Sequence, residues 1–156
     1  MAEQQSELAD RGLGSQGQLA PALRLSLPNR LDSLEFARLA LHDYLAPLAL
    51  SAKVWFKLEL VLEEALMNIS LHAFSDADPH QIGLQVGYDG QALYLRFEDD
   101  GLPFDPSLAA APVLPTSIAE ASPGGLGLML VRKQARAVDY ARVDGRNQLT
   151  ITLDYR

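Results

Sequence analysis

Between residues 53 and 73, Leu58, Val61, Leu62, Ala65, Leu66, Ile69 and Ala73 recur at the three- and four-residue spacing of a helix. On a wheel turning about 100° per residue they gather within an arc of roughly 140°, a stripe that demands an apolar cover. Ser51 stands where an N-cap belongs, so the spacing predicts a helix opening after Ser51 and running to about Phe74. A stripe this long needs a broad apolar surface opposite it. The rest of the chain supplies alternating segments suited to one face of a sheet.

The first of these is Ala22-Leu23-Arg24-Leu25-Ser26-Leu27, closed by Pro28-Asn29. Two more run over Gln81–Tyr88 and Gln91–Glu98, with Asp89-Gly90 between them as a tight hairpin signal. The last two, Tyr140–Val143 and Gln148–Tyr155, flank the turn Asp144-Gly145-Arg146-Asn147. A further helix is predicted from Leu31 to Ala46, on Leu31, Leu34, Leu39, Leu41 and Leu45, and it stops near Pro47. Gly124-Gly125-Leu126-Gly127 opens another that reaches about Val138. Residues 102–123 are rich in proline and alanine and contain no Lys or Arg; a loop of that length suggests a lid. The order β-α-α-β-β-lid-α-β-β predicts an α+β fold: a two-layer α/β sandwich whose mixed, mostly antiparallel sheet carries helices on one face. Residues 22–156 form a single domain in this reading, and 1–21, rich in Gln, Gly and Ser, are a flexible tail.

Charge and composition narrow the function. Thirteen Lys+Arg face twenty Asp+Glu, a net charge of −7, which argues against direct nucleic-acid binding because phosphates demand a basic footprint. There is no cysteine and there are only three histidines, so thiolate chemistry is excluded and a dedicated zinc site is not expected. No basic segment followed by an apolar core opens the chain, and no apolar run approaches the ~18 residues of a membrane span. A soluble, cytoplasmic protein with no membrane partner is expected.

Three motifs carry chemistry. Glu64 and Asn68 lie one turn apart on a flank of the apolar stripe. An Asn carbonyl oxygen is a hard ligand for Mg²⁺, and a carboxylate one turn earlier can accept the proton of an attacking hydroxyl. Asp99-Asp100-Gly101 ends a strand, where a carboxylate can read an exocyclic amine while glycine lets backbone pass beneath a flat ring. Gly124-Gly125-Leu126-Gly127 offers unpaired N–H groups to phosphate at a helix start, without the Lys-Ser or Lys-Thr of a Walker loop. Taken singly, each also reads as ordinary structure: a common helical spacing, a surface turn, a loop-to-helix junction. His72 reads as a partly buried packing residue, Trp55 as a helix-packing aromatic, and Arg132, Lys133 and Arg136 as a solvated helix face.

In their order, Glu64-Ala65-Leu66-Met67-Asn68, Asp99-Asp100-Gly101 and Gly125-Leu126-Gly127 resemble the N, G1 and G2 boxes of the GHKL ATPases. Leu62 through Phe74 and Pro123 through Arg132 look most like the anti-sigma factor serine/threonine kinases of bacterial partner-switching systems, and Asn147-Gln148-Leu149-Thr150-Ile151 is similar to that family's closing strand. The resemblance implies a Bergerat fold with ATP and Mg²⁺ bound between the second helix and the lid. It implies that Asn68 holds the metal, Asp99 reads the adenine amine, and Gly101 lines the base pocket. Gly125, Gly127 and Leu128 would border the phosphates, with Thr150 near the adenine. Glu64 would be the catalytic base toward a serine hydroxyl. The partner implied is a small anti-sigma-factor antagonist protein, together with a sigma factor, and the resemblance allows a homodimer. No Lys or Arg lies between Arg96 and Arg132, so the lid offers no cation to a γ-phosphate. That departure keeps a second function open, an anti-sigma adaptor that binds nucleotide and sequesters its partner without phosphoryl transfer.

Overall fold

The computed structural model describes residues 22–104 and 125–156. The expected tail over 1–21 and most of the expected lid lie outside the described residues. Strand β1 is Leu23–Pro28, followed by helix α1 (Asp32–Leu45) and one 3₁₀ turn (Ala46–Leu48). Helix α2 (Ala52–His72) leads to the hairpin of β2 (Gln81–Tyr88) and β3 (Ala92–Asp99). Helix α3 (Gly125–Gln134) precedes the hairpin of β4 (Ala137–Val143) and β5 (Arg146–Asp154). The five strands form one sheet in the order β1-β2-β3-β5-β4. Every described pairing is antiparallel, and helices cover one face, as expected.

All of the predicted α2 stripe is buried, from Leu58 through Ala73. The Ser51 hydroxyl accepts from the Val54 N–H at 3.3 Å, capping the helix as its position predicts. Opposite α2, cross-strand rows of apolar residues line the inner face of the sheet: Leu93↔Leu153, Leu95↔Ile151 and Phe97↔Leu149. That row then changes character. Its last rung is Asp99↔Asn147, a polar pair at the end of an apolar ladder. Trp55 joins the helices by stacking on His42 of α1, with ring centroids 4.0 Å apart.

Three local expectations are corrected. The buried residues of α1 are Ser33, Ala37, Leu41 and Leu45, one per turn, whereas Leu31 and Leu39 are exposed; two residues from Ala37 or Leu41, Leu39 faces away. Helix α3 ends at Gln134 rather than near Val138 because Arg136 N–H already donates to Thr152 O at 2.8 Å and Ala137 pairs with Thr152. Arg136 therefore leaves the helical face and pairs with Asp154. The turn tips also shift. Asp89 and Ala92 close the first hairpin, leaving Gly90-Gln91 at its tip. Asp144 and Gly145, at φ 50° and 75°, are the two tip residues of the second, so Arg146 and Asn147 belong to β5. No described helix is long and apolar enough to cross a membrane.

Candidate functional site

A narrow cleft opens between the C-terminal half of α2 and the polar end of the sheet. It is lined by Asn68, Ile69, His72, Ala73, Asp99, Phe104, Tyr140, Asn147 and Leu149. Asn68 and Asp99 thus meet, as the motif reading expects, although they are far apart in sequence and on different layers. Asp99 is only 3% exposed and Asn68 6%. Burying a carboxylate is costly unless its oxygens receive hydrogen bonds. Here Oδ1 accepts from the Gly101 N–H and from Asn147 Nδ2, both at 2.9 Å.

Gly101 is brought beside Asp99 by a close backbone crossing rather than by lining the cleft. A Cβ on Gly101 would fall 2.4 Å from the carbonyl oxygen of Ala73, the residue that caps α2. Leu102 N–H donates to that same oxygen at 2.7 Å. The segment after β3 is therefore fastened to the end of α2, and only glycine fits at the crossing.

Glu64 lies two turns before His72 along α2, next to α3. A Cβ on Gly127 would fall 1.6 Å from Glu64 Oε2, so the start of α3 is packed onto this carboxylate. Burial, and then the neighbouring charge of Glu63, push the Glu64 carboxyl above its ordinary value. Gly125 opens α3. Leu128 lies in the same helix, but its side chain is outside the described residues.

Thr150 is not brought to the cleft. On β5 the buried inner-face residues are Asn147, Leu149, Ile151 and Leu153, and the strand period puts Thr150 on the opposite face. Its hydroxyl accepts there from Arg96 Nε at 3.2 Å. The residue of that strand in the site is Asn147, which sequence reasoning passed over. The signal was present: counting back by twos from Leu153 reaches Asn147 at the end of the core row. His72 is exposed at the cleft edge rather than partly buried.

The donor set fits a Mg-nucleotide in character. The Asp99 carboxylate, an acceptor-only group beside Ile69, Ala73 and Leu149, suits a base that offers an N–H. An amide oxygen such as that of Asn68 is a donor of the kind Mg²⁺ accepts when phosphate and water supply most of its shell. The cleft itself is tight, about 20 Å³, room for roughly one water.

The fold and this site define a nucleotide-binding domain. The family of the histidine kinase-like ATPase domain matches residues 27–153, and the chain belongs to that family. Over 102 residues it is also 41% identical to the serine/threonine-protein kinase BtrW of Bordetella bronchiseptica, a stretch spanning 65% of this chain and 72% of that protein. The chain is thus an ATP-binding domain of kinase-like type.

Proposed function

We propose that this protein is an ATP-dependent serine/threonine kinase that phosphorylates a small protein antagonist in an anti-sigma partner-switching system. The observation that carries the reading is the contact between Glu64 and Gly127, which sets a carboxylate of raised proton affinity against the start of a helix. The likeness to a protein named as a serine/threonine kinase supports the same conclusion.

Helix α2 orders the site along its length. The base end is near Ala73 and Asp99; the phosphate end is near Glu64 and α3, about 13.5 Å away at 1.5 Å per residue. Asp99 accepts a hydrogen bond from the adenine amine. Asn68, one turn from Glu64, supplies its carbonyl oxygen to Mg²⁺, which when bound neutralises phosphate charge. The N–H groups at the start of α3 face the phosphates with the positive end of the helix dipole. Glu64 accepts the proton of the partner's hydroxyl as its oxygen bonds to the γ-phosphorus, and the bond to the β,γ-bridging oxygen breaks to release ADP.

One observation favours a second reading. The stretch between Arg96 and Arg132 contains no cation, which suits an adaptor that sequesters its partner without transfer. The deciding experiment captures the small protein that co-purifies from the native cell and incubates the pair with γ-labelled Mg-ATP. Label on a serine or threonine of the partner supports the kinase. Stoichiometric capture with no label replaces it by the adaptor.

A further inference from the structure

Arg142, Asn147 and Asp99 occupy a single rung across three strands: Arg142↔Asn147 joins β4 to β5, and Asp99↔Asn147 joins β3 to β5. Their side chains are linked in the same order. Arg142 donates to Asn147 Oδ1 at 2.9 Å and to the carbonyl oxygen of Gly101 at 2.7 Å. The Tyr140 hydroxyl also donates to Asn147 Oδ1, at 2.5 Å. On its other side Asn147 Nδ2 donates to Asp99 Oδ1 at 2.9 Å and to Leu102 O at 2.8 Å.

The chemistry of these partners allows only one orientation of the Asn147 amide. An arginine can only donate, and an ionised carboxylate and a backbone carbonyl can only accept. Oδ1 must therefore face Arg142 and Tyr140, and Nδ2 must face Asp99 and Leu102. All four hydrogen-bonding positions of the amide are used. Without Arg142 and Tyr140 the amide could rotate by half a turn and present its oxygen to the carboxylate, where two acceptors repel. Tyr140 at the cleft and Arg142 behind it, both on β4, thus decide whether Asn147 adds its donor to that of the Gly101 N–H on Asp99 Oδ1.

That matters for recognition because Asp99 is the one carboxylate among the described residues that line the cleft. With Oδ1 fixed by Gly101 and Asn147, the plane of the carboxylate is set, and Oδ2 is held in one direction for a ligand donor. Arg142 holds the carbonyl of Gly101 as well, so the same guanidinium fixes both the carboxylate and the backbone next to it. The Asp144-Gly145 turn, one rung beyond Arg146↔Val143, keeps the rung short-tethered at the hairpin tip.

We infer that Asn147, oriented by Tyr140 and Arg142, is the positioning residue that sets base selectivity: it holds Asp99 for a purine bearing a 6-amino donor and against one bearing a 6-oxo acceptor. The inference rests on the reading of Asp99 as the adenine acceptor in the proposed function. It assigns selectivity to the β4–β5 hairpin, not only to the residue that touches the base.

The test measures affinities for Mg-ATP and Mg-ITP, which differ at this amine, in the wild type, Asn147→Ala, the double variant Tyr140→Phe/Arg142→Gln, and Asp99→Asn. Wild type should prefer ATP. Asn147→Ala and the double variant should each lose roughly tenfold of that preference, ATP affinity falling more than ITP affinity. Because Tyr140 and Arg142 lie outside the core, the double variant reports even if Asn147→Ala folds poorly, and melting without nucleotide checks both. In the Asp99→Asn background, adding Asn147→Ala should cost no further preference. Equal losses for ATP and ITP would mean that the rung only supports the fold and would overturn the inference. A wild-type preference retained in Asn147→Ala but lost in Asp99→Asn would overturn it while leaving the Asp99 reading intact. A preference unchanged in Asp99→Asn would remove the base reading itself and this inference with it.

Discussion

A methyl group on Gly127 would lie 1.6 Å from Glu64 Oε2 and 2.1 Å from its carboxyl carbon, so the first turn of α3 rests directly on the carboxylate of α2. The contact makes Gly127 a reader of where Glu64 points. The group in the way is the far end of a flexible side chain rather than backbone, so the helix can accept alanine if Glu64 turns aside.

Gly127→Ala should therefore fold, because alanine is the better helix former by about 1 kcal/mol and offsets part of the crowding. Transfer to the partner should fall by roughly 10²-fold, the scale of an ångström-sized misplacement of a reacting group. Melting temperature and single-turnover phosphorylation measured side by side check this. A variant that is fully active would show that Glu64 need not stay where the structure holds it.

Glu64→Gln separates binding from chemistry. As the proposed base the carboxylate would act on the hydroxyl rather than the nucleotide, so Mg-ATP affinity should be nearly unchanged while transfer slows by ~10²–10⁴-fold. Glu63, exposed on the other flank of α2, is the control, and Glu63→Gln should phosphorylate normally. The raised proton affinity of Glu64 adds a pH signature. A base must be unprotonated, so wild-type transfer should fall as pH drops through a value above the ordinary carboxylate 4.5, and this acid limb should be missing from the residual activity of Glu64→Gln. Equal losses in the two glutamine variants would point to a disturbed helix instead.

Mg-ATP should stabilise the fold, by about 2.7 kcal/mol at one hundred times its dissociation constant. Asn68→Ala should remove most of the difference between ATP with Mg²⁺ and ATP with a chelator, since it deletes the amide oxygen proposed for the metal. Thermal melts in the four combinations measure this. The same Mg²⁺ dependence in wild type and variant would release Asn68 from that role.

How far the sequence could be read depends on what each residue faces. The α2 stripe was legible because seven residues at helical spacing, from Leu58 to Ala73, share one environment, and Ser51 caps it by local chemistry alone. Asp99 and Asn68 were legible as types in order. What could not be read was decided across the sheet. Arg136 and Ala137 have residues around them that suit a helix, yet pairing with Thr152 claims them for β4. Thr150 and Asn147 differ only in strand parity, which a one-residue change in the turn at Asp144-Gly145 reverses. Leu39 reads as core, but only its relation to Ala37 and Leu41 shows that it points outward.

The final prediction concerns His80, which is held between two carboxylates. Its Nε2 lies 2.6 Å from Asp76 Oδ1 and its Nδ1 3.2 Å from Asp100 Oδ1, while the ring stacks on Phe74 at 4.1 Å. Carboxylates only accept, so both contacts are hydrogen bonds only when the ring carries two protons. The bond to Asp76 leads in raising the His80 proton affinity above the ordinary 6.5, and the same bond leads in lowering that of Asp76 below 3.8. A histidine with raised folded-state affinity contributes stability that is complete below pH 6.5 and is lost as pH rises through its higher value in the fold. Asp76 contributes above 3.8 and loses its share as pH falls through its lowered value. The clamp is therefore strongest in the weakly acidic range and loosens toward the alkaline side. Asp100 adjoins Asp99 and Gly101, so the clamp stands at the edge of the cleft. Melting temperature followed from pH 6 to 9 should decline in wild type beyond the decline in His80→Gln, with the two curves converging at the alkaline end. Parallel curves across the whole range would show that the ring's second proton contributes nothing.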